Sequence, residues 1–485
     1  MEGKMIKSVA KFIVMLLIAI PIIVLIGCSG GSGSGNRVIF SFTDEIQTML
    51  EMYYDDNPTP EKEKFTVQII AYEEFTNQLT SRFRSGQNIP ALVTLEEKPS
   101  RAFIERNYFT SLDSLITSDN DMYEYTFNAG KFNNVQYGLS WQATPGGFFF
   151  RTDIAKKFAS TYLDITASST VNEIVAAVQT KISTWEGFIE LASVLHTNSN
   201  GGVKILSSNN DPSRVFISNR EVPWVETIDK VEFFRIDESV KKYFETIEAL
   251  EIGNNSSGKA ISTRDRFVNG SNDSDTTWFA DMNTTIAQFD QSRSNSDDSD
   301  DLNLVFGYFL PTWGLHYQLK NNGAATSGNW AVAPGPQAFS DGGTWLAVTS
   351  GHKYANQAKD IVKYLTTNKA FLKAWAEQTG DFVNSKSVMQ QVSSAFIGDA
   401  FLGGQNHYDI FMSAAETNNP GPLSKYDVYI SNTAVRSWAA NFGVRTNDED
   451  VGIKYSQNID NYFQALADDV KSNYSAINIS NWKTW

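Results

Sequence analysis

Three short β-branched and aromatic runs, each leading into a helical pattern, constrain the fold of this chain more than any other feature. Residues 37–42 (Arg-Val-Ile-Phe-Ser-Phe) have the length and composition of a buried strand. Residues 45–54 then carry apolar side chains on one helical face, and Asn57-Pro58-Thr59-Pro60 stops the pattern. A second strand is predicted at 65–72 with a helix at 72–85, and a third strand at 91–95 with a helix at 98–108. Strand–helix alternation implies a parallel sheet with helices on its faces, because a parallel crossover needs a connection long enough to hold a helix.

A second series follows. Residues 148–151 read as a strand and 153–160 as a helix. A further helix starts after Thr184, a natural N-cap, with Glu186 in the first turn where the helix dipole favours negative charge. Residues 330–334 and 344–348 are predicted strands across a Gly/Pro turn, with helices at 356–366 and 369–379 beyond them. A terminal helical pair is predicted at 432–442 and 459–471. Residues 262–301 are rich in Asn, Asp and Ser, the composition of a solvated loop, and lack the Gly and distal Glu of a calcium loop.

The amino terminus has a different logic. Lys4, Lys7 and Lys11 precede an apolar run at residues 12–26, shorter than the about 20 residues a membrane span needs. Leu25-Ile26-Gly27-Cys28 and a Gly/Ser stretch follow. The layout is that of a secretory signal, residues 1–27, and its end resembles a bacterial lipobox, in which the cysteine is acylated and becomes the new amino terminus. Residues 28–36 would then be a flexible leash, and several acyl chains on Cys28 would anchor the protein stably to a membrane. Cys28 is the sole cysteine, so the exported chain has no internal disulfide and no cysteine-based metal site. A net charge of −15 argues against nucleic acid as partner and against broad adhesion to anionic lipid.

Catalytic signatures are missing. The histidines (196, 316, 352 and 407) share no metal-ligand spacing, and no nucleophile elbow or Walker-type loop is present. No metal or cofactor is implied. Glu96-Glu97 is an acidic pair, but successive strand residues point to opposite faces. Aromatic residues instead gather at strand ends beside Gly, Pro or polar residues: Trp141, Phe148, Phe149, Trp224, Trp278, Trp313, Trp330 and Trp345. Such rings either build the core or offer flat faces to sugar rings.

The order of segments resembles the extracellular solute-binding proteins of bacterial ABC importers, specifically the sugar-binding, maltose-type family. The resemblance rests on several segments: Tyr137-Gly138-Leu139-Ser140, Phe148-Phe149-Phe150-Arg151-Thr152-Asp153, Thr184-Trp185-Glu186-Gly187-Phe188 and Ala333-Pro334-Gly335-Pro336 followed by Gly342-Gly343-Thr344-Trp345-Leu346-Ala347-Val348. It spans nearly all of the chain after Cys28. Two segments depart from the family: Ile89-Pro90-Ala91 lacks an acid, and Arg293 stands where a sugar-stacking Trp often sits.

The resemblance implies an α/β, two-lobe periplasmic-binding-protein-like fold of type II, with mainly parallel sheets flanked by helices and a hinge crossed near 141–146, 330–334 and 380–384. Residues 37–141 and 334–380 would form the N-lobe, and residues 142–333 and 381–485 the C-lobe. It implies a non-enzymatic, membrane-anchored receptor on the extracellular side, which captures a sugar, oligosaccharide or glycerol-phosphate-like solute and hands it to a permease and its ATPase. The alternative is a surface lipoprotein that uses the fold for adhesion or antigenic display; an exported glycan hydrolase is a third reading. Asp44, Glu97, Trp141, Asp290, Arg293, Trp330 and Trp345 are the expected ligand contacts.

Overall fold

Val38–Ser41 is the central parallel rung of the first sheet, paired with Thr66–Ile69 on one side and Leu92–Glu96 on the other. The sheet continues through Thr344–Val348 and Leu139–Ser140, both antiparallel. Helices Glu45–Asp56 and Tyr72–Ser85 make the crossovers. The second helix stops at Gly86, whose left-handed backbone (φ 69°) suits a residue without Cβ. The third helix, Glu97–Ile104, is shorter than its pattern predicts, because the chain turns at left-handed Asn107 (φ 58°).

These strands belong to a computed structural model that describes residues 36–117, 120–254, 260–262, 267–269, 276–294, 302–441 and 451–484. The signal segment, Cys28 and the leash up to Gly35 lie outside the described residues, as does much of the Asn/Asp/Ser-rich stretch.

The second sheet runs in the order Trp330–Ala333, Gly146–Arg151, Leu304–Pro311, Val203–Leu206. Its strands are buried throughout, and helices Val171–Ile182 and Trp185–Asn198 pack on it. Thr184 Oγ1 accepts from Gly187 N at 3.1 Å, so the predicted cap is formed. Both sheets are mixed: antiparallel strands sit where the chain leaves or re-enters a sheet at a crossing. The strands at 330–333 and 344–348 are not partners, since each belongs to a different sheet.

Two segments join the sheets, residues 141–145 and 334–343, and a third, residues 380–385 between helices Lys369–Thr379 and Lys386–Ala395, lies beside them. They are stitched to one another by Ala143 N to Phe382 O (2.9 Å), Asn384 N to Trp141 O (2.8 Å), Gly146 N to Phe339 O (2.8 Å) and Asp341 N to Thr144 O (3.2 Å). Residues 330–333 lie wholly within a strand, so the second crossing starts only after Ala333.

A third core lies toward the carboxyl end. Trp224, Phe234, Phe244, Ile430, Tyr462 and Phe463 pack between the hairpin Val225–Ile228/Val231–Phe234, helix Glu238–Glu251 and the terminal helices Asp427–Asn441 and Val451–Asn473. The hairpin turns at Asp229 and Lys230, both at positive φ, as a two-residue turn with the sheet's own twist requires.

Candidate functional site

Two neighbouring spaces lie where the sheets face each other, and both include Asp341 in their walls. The outer one, about 620 Å³, has on one side the loop after Val38–Ser41, with Phe42, Asp44 and Glu45. Ser41 Oγ donates to Thr43 O and accepts from Thr43 N and Thr94 Oγ1, which fixes that loop. Tyr72, first residue of its helix, and Glu96, last of its strand, complete the wall. Opposite them stand Trp313 and Tyr317, carried past strand Leu304–Pro311 into a π-helical turn, Leu315–Leu319. Such turns are frequent at functional sites.

The outer cleft combines exposed rings with carboxyls. Tyr72 is 53% and Tyr317 59% exposed, unusual for large aromatic side chains. Tyr317 Oη donates to Glu45 Oε1 at 2.8 Å, and Tyr72 Oη donates to Glu96. Burial holds the carboxyls of Glu45 and Glu96 above the usual range, although these phenol hydrogen bonds pull them back.

The inner chamber is about 180 Å³. That is below the roughly 300–1,000 Å³ of small-molecule sites, room for a small group rather than a whole ligand. Glu97 and Lys98 enter from the first helix turn after Leu92–Glu96; Arg214 and Arg220 enter from the second lobe. Asp341, on the second crossing, reaches Lys98 Nζ and Arg214 Nη1 at 3.7 Å each. Burial pushes the Glu97 carboxyl up to about 8, against the pull of Lys98 and with the help of Asp341, Glu96 and Asp427. Burial opposes the Lys98 charge, yet Asp341, Glu96 and Glu97 hold it above the usual lysine value.

The back wall is built around a buried ion pair. Arg220 Nη2 bonds Asp427 Oδ2 at 2.5 Å, Arg220 Nε donates to Ile217 O at 3.1 Å, and the guanidinium lies 4.6 Å over the Trp224 ring. A strap at residues 420–427 closes the chamber and touches both lobes: Gly421 N donates to Ser218 O (2.8 Å), and Leu423 O accepts from Arg101 Nε (3.3 Å).

Of the seven residues expected from sequence, two reach these spaces: Asp44 the outer cleft and Glu97 the inner chamber. Trp141, Trp330 and Trp345 are buried instead. Trp330 Nε1 bonds Thr326 Oγ1 and Trp345 Nε1 bonds Thr126 O, so these are satisfied core rings. Packing is tight at Trp345: a Cβ on Gly343 would lie 2.9 Å from its ring. Asp290 and Arg293 lie on helix Ile286–Ser294, where a loop was expected; Phe289 anchors it against Phe158. Asp290 pairs with Lys157 at 2.5 Å and Arg293 covers Phe289, so neither lines the cleft.

Sequence reasoning missed Glu45, Tyr72, Tyr317, Lys98, Arg214, Arg220 and Asp341. A usable signal existed for some: Glu45, Tyr72 and Lys98 each follow a strand within a few residues, at the carboxyl ends where open α/β sheets bind ligands. Among the described residues no cluster of His, Cys, Asp and Glu could hold a metal, and no helix is long and apolar enough to cross a membrane.

The family described as bacterial extracellular solute-binding protein matches residues 58–399. No curated protein matches the sequence. Solved structures share the fold. An extracellular solute-binding protein of family 1 is 13% identical, with 89% of this chain and 100% of that chain covered and a TM-score of 0.66. The sugar-binding protein MalE from Xanthomonas citri is 13% identical over 89% of this chain and 97% of its own, at 0.62. The galacto-N-biose/lacto-N-biose I-binding protein of the Bifidobacterium longum ABC transporter, in complex with lacto-N-biose, is 14% identical over 93% and 100%, at 0.58. Two α/β lobes with helix-flanked sheets are the architecture held in common.

Proposed function

The chain belongs to the bacterial extracellular solute-binding proteins, and from that premise we propose that it captures a carbohydrate between its lobes for delivery to an ABC importer. The observation that carries this reading is the outer cleft, where Tyr72 and Tyr317, more than half exposed, come from different lobes and each bonds a carboxyl, Glu96 and Glu45. Flat rings pack on the C–H faces of sugars, and the carboxyls accept from their hydroxyls. MalE and the B. longum protein, described as binding sugars, support the same choice.

The lobes in this reading are residues 37–141 with 334–380 and residues 142–333 with 381–485, moving about the segments at 141–145, 334–343 and 380–385. Solute contacts both and so favours closure by the difference between its closed and open contacts. Micromolar capture needs about −8 kcal/mol. Hydrogen bonds to charged groups contribute about 1.5–3 kcal/mol each, so a few of them with ring stacking suffice. Acylated Cys28 and its leash would hold the receptor near its permease, at an effective concentration that can reach millimolar.

Isothermal titration of the full-length protein against monosaccharides, oligosaccharides and glycerol phosphates tests the reading. Saturable heat with a micromolar Kd is expected from at least one; no saturable heat from any contradicts it.

A further inference from the structure

The inner chamber has more donors than its own acceptors use. Arg220 is 4% exposed and its Nη1 has no hydrogen-bond partner; Ser340 is 5% exposed and its Oγ has none either. Both line the chamber. Lys98 lies 3.7 Å from the Asp341 carboxylate, and Asp427 is committed to Arg220 and Ser424. Leaving buried donors unmatched is costly, and a guanidinium edge beside an ammonium is the donor set that carboxylates and phosphates take.

We infer that the chamber holds an oxyanion substituent, a carboxylate or phosphate group, on a solute whose sugar ring lies in the outer cleft. This rests on the carbohydrate reading above and narrows it to acidic saccharides. The chamber's size suits a group of a few heavy atoms, and Asp341 stands in the walls of both the chamber and the outer cleft, so the two spaces are close enough for one ligand to address both. The high pKa of Glu97 supports the assignment, because a protonated carboxyl donates to an anion instead of repelling it.

Titration of the full-length protein at pH 7 with glucose, glucuronate, glucose 6-phosphate and inorganic phosphate tests the inference. At least one charged sugar is expected to bind tenfold or more tighter than glucose; which one identifies the group as carboxylate or phosphate ester. Lys98→Met and Ser340→Ala are each expected to shrink that preference at least threefold. Equal affinity for glucose and both charged sugars overturns the inference and leaves the carbohydrate reading intact, whatever the variants do. A preference that neither folded variant changes overturns its placement in the chamber. Binding of inorganic phosphate that Lys98→Met weakens, with none of the three sugars bound, upholds the chamber's chemistry and overturns the acidic saccharide as its source. Failure of all four probes overturns the inference, while the carbohydrate reading is decided by the wider panel of oligosaccharides and glycerol phosphates.

Discussion

The phenol of Tyr317 donates to Glu45 Oε1 at 2.8 Å, joining a turn of the second lobe to the first helix of the first lobe. Tyr317 is 59% exposed, so this hydrogen bond competes with water and contributes little. Its ring is the more valuable part. Tyr317→Phe, which keeps the ring, is expected to change sugar affinity by less than about threefold. Tyr317→Ala is expected to lower it about tenfold, the equivalent of about 1.4 kcal/mol of stacking. Equal affinities of Tyr317→Ala and the parent by titration calorimetry would show that the ring is no platform.

Arg220 and Asp427 form the most buried ion pair along the cleft, 4% and 0% exposed. Breaking one side of such a pair strands the other charge. Asp427→Ala is expected to cost about 3–5 kcal/mol in urea unfolding. A loss under about 1 kcal/mol would mean that Arg220 finds another partner or reaches water.

Glu97 sets a pH dependence on the alkaline side. Its neighbours are Lys98, Glu96, Asp341 and Asp427, with Arg214 and Arg220 across the chamber and Arg101 one turn along its helix. The folded carboxyl keeps its proton up to about 8, whereas the unfolded chain releases it near the model-compound value of 4.5. Between those values the folded state binds more protons, so this group's contribution to stability falls as pH rises. Glu97→Gln removes that loss. Its stability advantage over the parent is expected to grow between pH 4.5 and 8.5 to about 5 kcal/mol. A gap that stays constant with pH would contradict the shift.

Two histidines act on the acid side. Burial pushes His316 down to about 4 and His407 down to about 3; Lys320 adds to both shifts and Asp399 opposes them. The unfolded chain takes up protons near 6.5, so stability is lost as pH falls from there toward 4. His407 packs among Phe396, Tyr408 and Phe411. His407→Phe is therefore expected to fold and to flatten the acid slope of the unfolding midpoint. Parallel slopes for parent and variant would rule His407 out as a source.

Local composition and order carried the fold well and the cleft poorly. The strand–helix alternation and the Thr184 cap follow from periodicity and short-range hydrogen bonding, which neighbouring residues determine. The hairpin expected at 330–348 failed because a Gly/Pro segment can turn back or cross over, and only the distant strand at 146–151 decides which. Trp141, Trp330 and Trp345 looked like platforms, yet all three are buried, and at Trp345 the neighbouring Gly343 lets backbone approach the ring. The chamber was the least legible part. Lys98, Arg220, Asp341 and Asp427 are far apart in sequence and meet only when the strap folds back over both lobes.

A crystal structure with the tightest-binding saccharide tests the central claim most directly. The account predicts a sugar ring stacked on Tyr72 or Tyr317, with hydroxyls within hydrogen-bond distance of Glu45 or Glu96. A saccharide seated elsewhere, with this cleft empty, would contradict it.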